Sequence, residues 1–194
     1  MDIQHIAVKL FAVEPLTYDL DQLGAVFNRW IQARALPELL IDVADYRHVH
    51  HGPGLLLVAH QAHYSLDHAA SRWGLLYTRK ARVEGGPDAA LNQALAAVVT
   101  AAHKLEQETT LRFDTQSWQV SVNDRLLAPN TPEAFSALHP VLAAAYGDLV
   151  GDGAPADLTY AGPGRHRLTV DVSAPAAPSL NDLARRLTPA SVAA

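Results

Sequence analysis

The chain has no cysteine. That excludes disulfides, thiolate nucleophiles, iron–sulfur clusters and cysteine-ligated zinc, so any metal site must draw on His, Asp, Glu or main-chain oxygen. It also has no apolar run near the ~20 residues that a membrane-spanning helix needs. Its start, Met1-Asp2-Ile3-Gln4-His5, lacks the basic and apolar stretch of a secretory leader. A soluble cytoplasmic protein is the expectation. Concentrated positive charge is lacking too. With a net charge of −5 and cations scattered apart from pairs such as Arg79-Lys80 and Arg185-Arg186, neither nucleic acid nor membrane is expected as a partner.

Several catalytic signatures are missing as well. No His-Glu-x-x-His, no Gly-Lys-Ser/Thr ending to a glycine-rich loop and no Gly-x-Ser-x-Gly elbow is present. Ser65, Asp67 and His68 are neighbours in sequence, but a triad is defined by spatial geometry, which adjacency on a loop does not supply.

What the chain does have is histidine. Six of its ten fall between His48 and His68, flanked by Asp42, Asp45, Tyr46 and Asp67. Imidazole titrates near neutrality and is the commonest metal ligand, so this segment is where chemistry is sought.

At 194 residues, about half of them apolar, the chain can bury a real core. A strand is expected over Ile3–Val13. A helix follows, capped by Asp19 or Asp21, with Leu20, Leu23, Val26, Phe27, Trp30 and Ile31 as its stripe. Leu39–Val49 and Leu55–Tyr64 read as strands joined at Gly52-Pro53-Gly54, and Arg72–Arg82 as a further strand. Pro87 opens a long alanine-rich helix striped by Leu91, Leu95, Val98, Val99, Ala102 and Leu105. Its small side chains suit packing on its own sheet or a dimer surface.

Beyond it, Leu111–Asp114 and Trp118–Val122 suggest another hairpin, with a short third strand at Arg125–Ala128. Thr131-Pro132 starts a helix that Pro140 should kink or split. Leu158–Ala161 and Arg167–Val172 form the last hairpin, and Ser179 caps a final helix. Strand pairs followed by helices recur three times in pattern, not in residue identity. They fit an old duplication or plain α+β alternation. The fold class is α+β: an antiparallel or mixed sheet of hairpins with about four helices mainly on one face. Residues 1–188 are expected as a single domain, with 108–110 as the candidate sub-boundary, and 189–194 as a flexible tail.

Centring the first hairpin on Gly52-Pro53 sets Ala44 opposite His60, Tyr46 opposite Val58 and His48 opposite Leu56. Asp42, Tyr46, His48, His60 and Tyr64 then share one face. Asp42 beside His60 would orient a metal ligand or fix a general base in one tautomer. On this reading His60, Asp42 and Tyr46 are the catalytic candidates. His48, His50, His60 and His63 are the candidate ligands of a divalent metal such as zinc. The function expected is small-ligand or metal binding at Asp42–His68, with hydrolase- or lyase-like chemistry if it is an enzyme. The alternative is a non-catalytic homo-oligomeric assembly or regulatory protein, a homo-dimer for instance, that uses the same hairpin as a protein interface.

Overall fold

A computed structural model describes residues 3–16, 18–49, 52–151 and 156–187. His50, His51 and the tail 188–194 lie outside the described residues.

The first strand, β1 (Ile6–Ala12), leads into α1 (Leu20–Ala33), whose N-cap is Asp19 with its side chain accepting from the Asp21 amide. Leu23, Val26, Phe27 and Trp30 are its buried face. Four strands follow: β2 (Leu40–Tyr46), β3 (Gly54–Ala59), β4 (Ala62–Asp67) and β5 (Gly74–Arg79). The helix α2 (Pro87–Glu108) starts with Pro in its first turn and buries Ala90, Ala94, Leu95, Val98, Ala101, Ala102 and Leu105. Next come β6 (Phe113–Val122), α3 (Pro132–Val150), β7 (Asp157–Tyr160), β8 (Leu168–Ser173) and α4 (Leu180–Leu187).

Among the described residues, eight strands join one antiparallel sheet in the order β2-β3-β4-β5-β1-β6-β8-β7. The fold is therefore α+β, with the four helices mainly on one face. The register shows which residues meet them. Val8 lies opposite Tyr77 and Val120, Leu57 opposite Tyr64, and Val172 opposite Trp118 and Leu158. These residues and the helix stripes make one buried cluster. The alternate residues (Ala7, Lys9, Leu56, Val58, His63, Leu76, Gln119 and Asp171 among them) point to the other face, since successive side chains on a strand alternate. The alanine stripe of α2 is spent inside the chain, where α2 packs on β1, β5, α3 and α4.

The central pair β1/β6 divides the sheet into halves of similar plan. In each, the first strand is followed by a helix, and the last strand before the second helix pairs back beside the first: β5 on β1, β8 on β6. The threefold rhythm expected from sequence does not hold, because β6 is one ten-residue strand rather than a hairpin.

Three further expectations are corrected. The segment 55–64 is not one strand but parts of two, turning at His60-Gln61: odd residues face the core in β3 and even ones in β4. Arg125–Ala128 is a helical turn, not a strand, with the Leu127 and Ala128 amides both donating to the Asp124 carbonyl. Finally, of the kink or split expected at Pro140 the split does not occur, since α3 runs as one helix through it.

Candidate functional site

The β2–β3 register differs from the one expected. Ala44 lies opposite Leu56, Tyr46 opposite Gly54 and Asp42 opposite Val58, with a bulge between Leu40 and Asp42. Each β2 residue therefore pairs four residues earlier along β3 than expected, which centres the reversal two residues nearer β2. Gly54 serves a different purpose from closing the turn. Its φ is +69°, and a Cβ built there would sit 2.5 Å from the Leu66 carbonyl oxygen of β4. The glycine lets β3 and β4 approach.

This register separates Asp42 from His60. Asp42 is exposed, and its Oδ1 accepts from the Val43 amide at 2.8 Å. His60 sits in the exposed β3–β4 turn, its amide donating to the Leu39 carbonyl. Tyr46 and His48 are exposed at the far end of β2 with rings stacked 6.5 Å apart. His63, by contrast, is half-buried on the helix-free face between Val58 and Thr78. Its Nδ1 is buried without a partner, and burial, then the charge of Lys80, pushes its pKa below the usual imidazole value. His50 falls outside the described residues. Among the described residues, no three His, Asp or Glu side chains come close enough to share a metal ion. Tyr64, expected on the same face as His48 and His60, is instead fully buried under the helices.

What the hairpin does gather is exposed apolar surface next to paired charge. Leu39, Ile41, Tyr46 and Val49 are exposed at 63, 53, 41 and 43 %. Beside them, Arg47 donates through Nε and Nη2 to Asp45 and through Nη1 to Asp21. The hydrogen bonds from Arg47 hold the Asp45 carboxyl down at about 2. One amide of this edge strand and one just past its end are already occupied, Val43 by Asp42 and Arg47 by Asp45. Carboxylates placed this way block donors that an added strand would use.

Two polar clusters escaped the sequence reading. Under the helices, Glu38 from the α1–β2 connection accepts from Tyr64 Oη at 2.6 Å and Tyr77 Oη at 3.2 Å. Gln93 of α2 donates to Tyr77 Oη at 2.9 Å, and Arg79 Nη1 reaches the same phenol at 3.4 Å. Burial, and next the Glu38 carboxylate, drives the Tyr64 phenol far above its ordinary value. On the helix-free face, Lys9 and Asp67 form a buried ion pair beneath the β4–β5 connection. Alternation in the sequence marks Tyr64 and Tyr77 as sheet residues. No local pattern ties them to Glu38, 26 residues from Tyr64. The chain matches no family model, and neither a curated protein nor a solved structure shows significant similarity to it.

Proposed function

We propose that the protein is a cytoplasmic, non-catalytic assembly protein that pairs with a second copy of itself through the β2 edge and the adjoining helix-free face. One observation carries this reading. Of the seven large apolar residues exposed among those described, four (Leu39, Ile41, Tyr46 and Val49) lie within one eleven-residue stretch. Apolar residues scattered singly need no explanation, but four along one edge strand and its ends are denser than that and support an interaction surface there.

The charge pattern favours a second copy as the occupant. A two-fold interface is isologous, so the same patch must complement itself. This patch carries Arg47 together with Asp21 and Asp45, and each copy could exchange the arginine for the partner's carboxylates. Contact through side chains rather than strand addition agrees with the occupied amides of Val43 and Arg47. A standard interface takes about 800 Å² from each partner. That is more than one strand edge offers, so the contact extends over Leu56 and Val58, half-buried on β3.

Sedimentation velocity tests the proposal, with circular dichroism as the control for folding. The parent chain is expected to be dimeric at micromolar concentration, and the variant Leu39→Glu/Ile41→Glu monomeric with an unchanged spectrum. A parent chain that remains monomeric at about 100 µM, where even a micromolar interface is occupied, sinks it.

A further inference from the structure

At the opposite lateral half of the sheet, two loops meet around a second apolar feature. The β6–α3 loop makes the helical turn at Asp124–Ala128, whose apex is Leu126, exposed at 98 %, followed by Leu127 at 54 %. This turn is tightly held. Besides the Leu127 and Ala128 amides on the Asp124 carbonyl, the Asp124 carboxylate is drawn inward, accepting from the Gln4 and His5 amides at 2.7 and 2.8 Å and pairing with the His5 ring. The leucines are thus presented by a fixed scaffold.

The β7–β8 loop packs alongside. Asn130 Nδ2 donates to the Gly162 carbonyl at 3.2 Å, Arg125 Nη2 to the Arg165 carbonyl, and Arg167 Nη1 to Asn123 Oδ1 at 2.7 Å. The result sets Arg165, His166 and Arg167 beside the turn that carries Arg125 and the two leucines, all of them exposed. Arg125 and Arg167 bond to neutral oxygens. Among the described residues none of the three arginines has a carboxylate within ion-pair distance.

We infer that this tip is a docking site for an anionic phospholipid surface. The chemistry fits a bilayer interface. Protruding leucines enter the boundary of the acyl chains, and guanidinium groups beside them meet the phosphates. A convex tip suits a soft surface that closes around it, where a protein partner would have to offer a matching pocket. The charge balance gives the contact a direction. In a chain of net −5, a cluster of cations draws that part of the surface toward an anionic bilayer, which favours approach by the tip. No helix among the described residues is long and apolar enough to cross a membrane, and an interfacial contact requires none. The site shares no residue with the proposed β2 interface, so either can fail alone.

Co-sedimentation of the full chain with large unilamellar vesicles is the test. One set is phosphatidylcholine alone and the other contains about one third phosphatidylglycerol, a composition that supplies the anionic charge such patches respond to. The parent is expected to bind the anionic vesicles, to release as salt is raised, and to ignore the neutral ones. Each of Arg125→Gln, Arg165→Gln and Arg167→Gln is expected to weaken binding about fivefold. Leu126→Ser/Leu127→Ser is expected to weaken it by more than about tenfold, and Leu126→Trp to give a blue-shifted emission on vesicles. All these positions are exposed, so circular dichroism should match the parent. Three outcomes overturn the inference: no binding to anionic vesicles at low salt, binding indifferent to the leucines, or equal competition by a soluble polyanion such as heparin, which would assign the arginines to an acidic macromolecule instead.

Discussion

Lys9 and Asp67 meet on the sheet face opposite most of the α-helices, with Nζ 2.5 Å from Oδ1 and the two side chains only 3 and 9 % exposed. The β4–β5 connection closes over them: Lys9 Nζ also donates to the Arg72 carbonyl at 2.8 Å and the Ala69 carbonyl at 3.3 Å. Arg72 lies over the Phe11 ring, 3.7 Å from its centroid, and His68 stacks on Trp73. Burial pulls the Lys9 pKa down, and Asp67 opposes that most.

Removing one partner of such a pair leaves a buried charge uncompensated. Lys9→Met should therefore cost about 3–5 kcal/mol in a urea denaturation series. The double variant Lys9→Met/Asp67→Leu should recover part of that loss. The remainder reflects the two carbonyls that lose their donor, about 1–3 kcal/mol each. A single variant within about 1 kcal/mol of the parent, the size of an ordinary surface change, would show that the connection does not depend on the pair.

The Glu38 network predicts an alkaline weakness. Burial raises the phenols of Tyr64 and Tyr77 above the ordinary value of 10.0. A group whose folded pKa lies above its unfolded one stabilises fully below the unfolded value, and that contribution is lost as pH rises through the folded one. Stability should thus be intact up to pH 10 and fall beyond it. These tyrosines should ionise only as the chain unfolds, seen as an ultraviolet phenolate step coincident with loss of circular dichroism. Tyrosines that all titrate near 10 with the spectrum unchanged would contradict the network. At neutral pH, Tyr64→Phe should cost about 1–3 kcal/mol by leaving Glu38 Oε2 without its donor.

The sequence showed the helices clearly and the hairpins poorly, for physical reasons. Helix starts are local events: Asp19, Thr131 with Pro132, and Ser179 with Asp182 all satisfy amides within three residues, so they can be read directly. The β3–β4 turn is different. His60-Gln61 contains neither Gly nor Pro, and its backbone bonds reach far along the chain: the His60 amide donates to the Leu39 carbonyl, and the Gln61 carbonyl accepts from the Lys80 and Ala81 amides. Only the change of phase in the apolar alternation betrays it. Gly54 misled in the other direction, its positive φ marking a close approach to β4 rather than the apex of a turn. Lys9 reads as the solvent-facing residue of an alternating strand, and nothing local says that residues 67–72 fold over it. The histidine cluster is compositional. Among its described members, His48 lies past the end of β2, His60 in the β3–β4 turn and His63 on β4.

His63 should make the fold sensitive to mild acid. Its folded pKa lies below the ordinary imidazole value of 6.5, through burial first and the charge of Lys80 second. A group with a depressed folded pKa contributes stability that is present above the unfolded value and lost as pH falls through the folded one. The parent should lose stability from pH 6.5 downward more steeply than His63→Leu, which has no proton to gain. Equal slopes for the two proteins in urea melts at stepped pH would rule out His63 as the source.

Two glycines with similar backbone angles should separate conformational strain from collision. Gly54 has φ +69° and Gly162 has φ +92°, so alanine is disfavoured at both, by about 1–2 kcal/mol for a left-handed residue. They differ in surroundings. A Cβ at Gly54 meets the Leu66 carbonyl oxygen at 2.5 Å, and one at Gly162 meets nothing within 4 Å. The Leu66 carbonyl belongs to β4, which β3 pairs through Leu55↔Leu66 and Leu56↔Ser65, so it cannot step aside without opening that ladder. Gly162→Ala should show only the strain. Gly54→Ala should lose several times more and, because β3 carries the surface assigned to self-association, should also weaken the dimer. If urea midpoints fall equally for the two variants, the strand approach at Gly54 tolerates a methyl group and the close packing of β3 on β4 is not what fixes the hairpin.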